Sequence, residues 1–320
     1  MAQNGLKICV LGGTGFVGTE LVAHLADAGH FVRVPTRVLV NGSHLLVLPT
    51  VEVLAANVHD LRVLGRLFES MDVVVNLVGI LNEPGRRGAG FRAAHADLAT
   101  KVVEAARAAR VKRLLHMSSL GADRAAPSHY LRSKAEAEAT VREAPAAIGA
   151  TIFRPSVIFG HGDSLTNRFA RLLRLSRGVL PLARANARFA PVYVGDVAAA
   201  FLRAVHDRGT RGQTYELCGP DVITLRQLVQ TTAQAAGLPC HIVALPDFIA
   251  RLQALVMDFL PGKPFSTDNY KSLTRDSVCR ENGCAKLGIT PTSMAAILPT
   301  YLGAESLQTR LAGYRSTASR

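Results

Sequence analysis

Six short apolar runs alternate with helix-length amphipathic stretches through the first half of the 320-residue chain. The runs are 7–11 (KICVL), 30–34 (HFVRV), 51–55 (VEVLA), 72–78 (DVVVNLV), 112–117 (KRLLHM) and 150–153 (ATIF); the helical stretches are 16–28, 60–69, 91–109 and 128–143. Such alternation implies crossover connections between parallel strands, since each helix must carry the chain back to start the next strand in the same direction. The pattern predicts an α/β fold, a doubly wound parallel sheet covered by helices. Composition agrees. Trp is absent and aromatic residues are 6%, so the core must be built mostly from Val, Leu, Ile and Ala, as buried parallel strands are.

The first run leads directly into Gly12, Gly15 and Gly18, spaced G-x-x-G-x-x-G, and a helix opens at once with Phe16 and Val17 in its first turn. Gly12 permits the tight strand-to-helix turn. Gly15 lets the backbone approach a pyrophosphate at the helix N-terminus, and Gly18 lets the helix pack close on the sheet. The reading is a dinucleotide site. An NAD site usually carries a carboxylate at the end of the second strand, but no Asp or Glu lies between Asp27 and Glu52. Arg33 and Arg37 stand there instead, and Arg37 follows the strand where a guanidinium can grip a 2′-phosphate. NADP(H) is therefore expected ahead of NAD(H), which stays possible. Asn57 and Val58 fall where the adenine would lie, and Leu77, Val78 and Gly79 end the fourth strand where backbone should line the cofactor.

Tyr130 and Lys134 lie four apart in "YLRSK", so on a helix both point the same way. A free Tyr titrates near 10; a neighbouring ammonium would lower it towards use as an acid–base group. Ser118 and Ser119 end the fifth run, at the sheet edge where such folds bind ligands, and one of them is expected to point inward towards a substrate oxygen.

After about residue 155 the alternation loosens. The segment 155–190 is rich in Pro, Gly and Arg, followed by a strand-like "RFAPVYV", a helix with Asp196 as its expected cap, a strand in "GQTYEL", and a helix started by Thr224 and Gln227 in capping-box spacing. The expected organisation is a Rossmann-type domain over 1–155, a smaller C-terminal α/β substrate or docking lobe over 156–305 intertwined with it, and a solvated tail over 306–320. Two stretches in the lobe are amphipathic. "RFARLLRLSRG" spaces Arg168, Arg171, Arg174 and Arg177 three apart among Phe169, Leu172, Leu173 and Leu175, and "PDFIARLQALVMDFLPGKPF" gathers Phe248, Ile249, Leu252, Leu255, Val256 and Phe259 on overlapping faces. Either they pack a core or they face a membrane or quinone.

Lys and Arg total 37 against 24 acidic residues, a net charge of +13 that attracts polyanions. No basic block interleaves with aromatics as an RNA-binding face would, so nucleic acid is not expected. Five scattered cysteines include one close pair, Cys279 and Cys284, with no second Cys/His pair to complete a metal site; no metal is expected, and the pattern fits a reducing compartment. The N-terminus reaches its glycine turn too soon for a signal peptide, and no apolar run spans a bilayer. A cytoplasmic protein is expected, with a peripheral position on the inner membrane as the alternative.

"GGTGFVG", "HMSS", "YLRSK" and "FRPSVIFG" together resemble the extended or atypical branch of the short-chain dehydrogenase/reductase superfamily, NAD-dependent epimerase/dehydratase-like. "LVGILNE", "PVYVGDVA", "YELCGP" and "FLPGKPFSTDNYKSL" resemble the subgroup containing the NADPH-binding accessory subunit of respiratory complex I and its bacterial relatives, some linked to ubiquinone synthesis. The resemblance implies that the three glycines hold the cofactor, Arg37 takes the 2′-phosphate position, Ser119 or Ser118, Tyr130 and Lys134 form the catalytic set, and Arg154 and Pro155 flank the nicotinamide. His95 stands where many reductases carry an Asn that supports a proton relay. Three functions follow as expectations: an NADP(H)-dependent oxidoreductase acting on a small hydrophobic or quinone-like carbonyl with Tyr130 as acid/base; a nucleotide-binding scaffold or redox sensor docked on a membrane complex; and, more weakly, an NAD-retaining epimerase.

Overall fold

The computed structural model describes residues 5–83, 85, 87–260 and 265–303; the expected tail at 306–320 and the "PGKP" of the second amphipathic stretch lie outside them. The chain divides into two compact units. The first runs through Pro155 and adds Gly195–Leu217 and Arg280–Ile289; the second comprises Ser156–Val194, Cys218–Cys279 and the chain from Thr290 on.

In the first unit the strands are β1 (Lys7–Leu11), β2 (Phe31–Thr36), β3 (Val51–Ala55), β4 (Val73–Asn76), β5 (Arg113–Met117) and β6 (Ala150–Pro155). They form one parallel sheet in the order β3-β2-β1-β4-β5-β6, continued by a seventh strand, Thr214–Leu217, parallel to β6. This is the doubly wound order expected from the alternation, with the reversal between β1 and β4. Every residue of β4 and β5 is buried, including the polar Asn76, Arg113 and His116, so neither strand alternates apolar with polar as a half-exposed strand would. β3, at the sheet edge, keeps two of its five residues exposed.

The crossover helices are α1 (Phe16–Asp27), α2 (Leu61–Phe68), α3 (Ala89–Arg92), α4 (Leu98–Ala108) and α5 (His129–Arg142). Asp60 caps α2 by accepting from the amides of Arg62 and Val63, and Ser128 caps α5 by accepting from Leu131. The stretch read as one helix over 91–109 is interrupted: Ala93–Asp97 forms a π turn between α3 and α4. Leu64, Leu67 and Phe68 of α2, Val102 and Ala106 of α4 and Ala137 and Val141 of α5 pack with Val74 and Leu114 of the sheet. Arg113 is buried at the start of β5. Its guanidinium donates to the carbonyls of Ala204 and Gly149 and to Thr210, fastening the helix Val194–His206 to the sheet. That helix begins two residues before Asp196, so Asp196 sits in its first turn rather than at its cap.

In the second unit "RFAPVYV" is not one strand. Pro191 lacks an N–H and separates Arg188–Phe189, antiparallel to Ile223–Thr224, from Val192–Tyr193, parallel to Ile158–Phe159. A ribbon pairs Val179–Leu182 with His241–Ala244 in parallel. The helix Leu225–Ala235 opens with the expected capping box, Thr224 and Gln227 bonding reciprocally. Cys218 and Cys279, 61 residues apart, are joined by a disulfide. The cysteine pattern thus no longer supports a reducing compartment, because spatial proximity and not the close spacing of Cys279 and Cys284 selects the pair. Cys9 is fully buried, as expected for an apolar strand, and burial pushes its thiol up to about 12.

Glu138 of α5 is almost wholly buried and accepts two hydrogen bonds from Arg154 of β6, at 2.7 and 2.5 Å, and one from Arg142. Losing the carboxylate leaves the Arg154 guanidinium, itself 23% exposed, without a partner. Glu138→Ala is expected to lower stability by about 3 kcal/mol, the lower end of the range for a broken buried pair because Arg154 is partly solvated; urea denaturation measures it.

Candidate functional site

All the residues singled out for cofactor and chemistry lie in the first unit, at the C-terminal ends of β1 to β6, around the reversal in strand order. β1 ends at Leu11, and Gly12 turns with φ +80°, a conformation that strains any side chain. A Cβ on Gly18 would stand 2.2 Å from the Gly12 carbonyl oxygen, so α1 packs against the turn only because position 18 is bare. Gly15 precedes α1 without a side-chain cap, and the first turn, including Phe16 and Val17, carries no acidic residue. The result is a cradle of backbone amides at a helix N-terminus, with the chemistry to take a pyrophosphate. The residues present fit a dinucleotide.

Leu77 and Val78 pass directly over this turn: a Cβ on Gly12 would lie 3.2 Å from the Leu77 carbonyl carbon and the Val78 nitrogen. β4 ends at Asn76, three residues before the expected Gly79, because the Asn76 side chain turns back to accept from the Val78 amide and closes the strand. On the far side of β1, Arg37 is exposed just past β2, whereas Arg33 is held by Glu52 at 2.7 Å and by the Leu67 carbonyl. Asn57 accepts from the His59 amide in a turn after β3, and Val58 is buried in the main core.

The remaining groups cluster where β4, β5 and α5 meet. Ser119 is half-buried, its Oγ donates to the Leu120 carbonyl at 3.3 Å, and its hydroxyl is near enough to Tyr130 to favour the ionised phenol. Ser118 is buried and its Oγ has no hydrogen-bond partner, so of the two strand-end serines it is Ser119 that reaches the tyrosine. Tyr130 also lies edge-on to Phe91 and His95, with ring centroids 6.0 and 5.6 Å away. Lys134, 4% exposed, donates to the Met117 carbonyl at 3.1 Å, and Gly79 is so close to its Nζ that a Cβ there would be 3.2 Å away. Burial pulls the ammonium down to about 8 despite the opposing pull of Glu138. The expectation that Lys134 lowers the Tyr130 pKa is corrected: burial raises the phenol, and the relief comes from the Ser119 hydroxyl. Pro155 is buried at the end of β6, its carbonyl accepting from Leu120, and Arg154 is committed to Glu138.

His95 projects inward from the π turn, a local widening that recurs at functional sites. Its Nε2 accepts from the Ile80 amide at 3.1 Å, which leaves Nδ1 to donate to Ser133 Oγ at 2.8 Å; Ser133 in turn donates to the Tyr130 carbonyl. This chain ties the loop after β4 to the helix that carries Tyr130. His116, on β5 beside Asn76, is buried as well; its Nδ1 lies 3.3 Å from the Asn76 amide nitrogen and its Nε2 has no partner. Burial first and the Lys134 charge second hold both rings neutral, His95 down to about 2 and His116 to about 3. His116, Asn76 and Ser133 were not singled out from the sequence. The one signal was the imidazole that follows two leucines in the fifth strand run.

The fold and this arrangement define an extended short-chain dehydrogenase/reductase, an NAD(P)-binding Rossmann protein with oxidoreductase- or epimerase-like architecture. A model of the NAD dependent epimerase/dehydratase family matches residues 8–218, and the chain belongs to that family. It is 34% identical over 295 residues to "NADH dehydrogenase [ubiquinone] 1 alpha subcomplex subunit 9, mitochondrial" of Arabidopsis thaliana, covering 87% of this chain and 72% of that protein. It is 31% identical over 246 residues to "Ceramide reductase" of Caulobacter vibrioides, covering 75% and 74% of the two chains. Among solved structures it is similar to the Bordetella bronchiseptica enzyme WbmF in complex with NAD+, with a TM-score of 0.71 and 18% identity over 98% of this chain and 95% of that one.

Both imidazoles titrate at 6.5 in the unfolded chain but well below that when folded, so they stabilise the protein fully above pH about 6.5 and progressively less as pH falls towards about 3. Linkage gives a loss of about 2 kcal/mol per histidine between pH 6.5 and about 5. Denaturation midpoints measured across that window should fall in the wild type and fall less steeply in His116→Gln.

Proposed function

We propose that this chain is foremost a nucleotide-holding accessory protein of a respiratory NADH dehydrogenase-type assembly, retaining the reductase site chiefly as a grip on its cofactor. One observation carries this reading. Similarity to the alpha subcomplex subunit 9 protein runs over 295 residues, well beyond the 8–218 matched by the family model, and so takes in most of the chain after residue 218. The site is compatible with it. Lys134 is rigidly placed beside Gly79 to hold ribose hydroxyls, and the raised Tyr130 phenol is poorly suited to act as a base at neutral pH.

The preferred cofactor is NADP(H). Arg33 is neutralised by Glu52, so Arg37 is the guanidinium left at the end of β2 for a 2′-phosphate. Gly12, Gly15 and the start of α1 would take the pyrophosphate, Leu77 to Gly79 the central face, and Lys134 the nicotinamide ribose.

A second reading is favoured by the Ser119 hydroxyl beside Tyr130 and by the reductase named among the relatives. When bound, a reduced nicotinamide supplies a hydride. Tyr130, protonated because its pKa is raised, donates its proton to the oxygen of a small hydrophobic or quinone-like carbonyl that Ser119 orients, while Lys134 holds the nicotinamide ribose. The same protonated phenol makes epimerisation, which begins with proton removal, the weaker reading.

Mass analysis of nucleotide released from natively purified protein tests the first reading: NADP(H) that survives dialysis is expected, and protein that emerges empty and binds neither dinucleotide overturns it. Tyr130→Phe should leave nucleotide affinity within about twofold, while Lys134→Ala should weaken it about tenfold by removing a charge-assisted grip. If Tyr130→Phe also abolishes a quinone- or carbonyl-dependent NADPH oxidation by about a hundredfold or more, the second reading holds. Arg37→Glu is expected to reverse the preference between NADPH and NADH in calorimetric titration; an unchanged preference removes the 2′-phosphate assignment.

A further inference from the structure

The helix Asp247–Met257 of the second unit is amphipathic in the wrong sense for a core element. Its small residues Ala250 and Ala254 are fully buried against Ala183 and Tyr270, whereas Phe248, Leu252, Leu255 and Val256 are 72, 58, 43 and 57% exposed. At 100° per residue the two alanines centre opposite the large apolar side chains, so the helix turns its bulk to solvent. Phe259 and Leu260, just past its end, are 73 and 47% exposed. The core-packing expectation for this stretch therefore does not hold. The apolar exposure is larger than scattered surface residues account for.

The same unit exposes further apolar side chains. His241–Ala244, which leads into this helix, pairs with Val179–Leu182, and the register puts Val179, Pro181, His241 and Val243 on one side of the ribbon, with Leu180 and Leu182 buried on the other. Val179 and Val243 are 48 and 45% exposed. Immediately upstream, the helix Ser164–Leu175 buries Thr166, Ala170 and Leu173 and turns Leu172, Leu175 and its arginines outward.

Charge says what this face meets. Residues 164–195 contain six arginines and no acidic residue. Arg184 and Arg188 are paired with Asp247 and Asp276, but Arg171, Arg174 and Arg177 are exposed and have no ion pair among the described residues. Bulky exposed apolar side chains and unneutralised arginines within one unit complement an interface with hydrocarbon below and negative headgroups at its surface. No helix among the described residues is long and apolar enough to cross a membrane, so the contact lies in the surface plane.

We propose that the second unit docks on an anionic lipid bilayer, inserting the Phe248–Val256 face of its outward-turned helix while Arg171, Arg174 and Arg177 engage lipid phosphates. The inference stands apart from the nucleotide reading, which concerns the other unit.

Co-flotation of the full chain with vesicles tests it. Association is expected with vesicles of equal parts phosphatidylcholine and phosphatidylglycerol, and not with phosphatidylcholine alone. Raising the salt should weaken it, because surface attraction falls off within a Debye length of about 10 Å at 0.1 M. Phe248→Ser with Leu252→Ser, and separately Arg171→Glu with Arg174→Glu, should each lower the bound fraction about tenfold or more. These side chains are exposed, so the thermal midpoint should not move, which separates lost docking from lost fold. Equal association with both kinds of vesicle, or association indifferent to both double variants, overturns the proposal. So does sedimentation velocity showing that the wild type dimerises and the Phe248→Ser, Leu252→Ser variant is monomeric, for then a second copy covers the face.

Discussion

Two oppositely charged side chains one helical turn apart, Lys134 and Glu138, are sunk into the same face of α5, and much of the site is arranged around giving both of them partners. Glu138 has three guanidinium bonds and is fully satisfied. Lys134 has one carbonyl bond and the more distant support of Glu138, and its proton is held less firmly than in water. Low dielectric makes such an ammonium intolerant of further positive charge nearby. The two adjacent imidazoles are neutral for that reason as well as through burial, so the pocket concentrates a single cation beneath the loop that begins at Gly79. An enzyme or a cofactor holder would both need that placement. This is why the pair alone does not distinguish the two.

The sheet was legible because buried parallel strands must be apolar on both faces and because the glycine turn allows few alternatives. Boundaries moved where side chains intervened: Asn76 ends β4 early by capping the loop that follows, and Pro191 splits what reads as one strand. The candidate site was legible at Gly12, Tyr130 and Lys134, whose spacing is itself the signal. It was not legible at His116 and Asn76, which meet only through the register of β4 against β5, 40 residues apart in the chain. The sense of the Tyr130 shift was also hidden, since spacing reports that a lysine shares the helix face but not that a backbone carbonyl engages its ammonium. The π turn at Ala93–Asp97 leaves no mark in a hydrophobic pattern, yet it is what presents His95 to both the loop and α5.

Periodicity likewise found the amphipathic helix at 247–257 but could not say which side faces in. Alanines count weakly in any apolar pattern, and here they form the packed face. Large residues that would normally point to the core are free to point outward because small ones allow the closest approach to the body of the unit.

The disulfide has a consequence for chain connectivity. Cys218 and Cys279 are the first and last residues of the longest internal excursion into the second unit, and the strands of chain beyond them are already laced together, Arg280 donating to Glu216 and Asn282 bridging to it. Residues 218–279 thus form a covalently closed ring with both openings on the first unit's polypeptide. A single cut anywhere inside that ring would leave one covalent molecule, and the excursion could gain or lose loops without loosening the point at which it departs and returns.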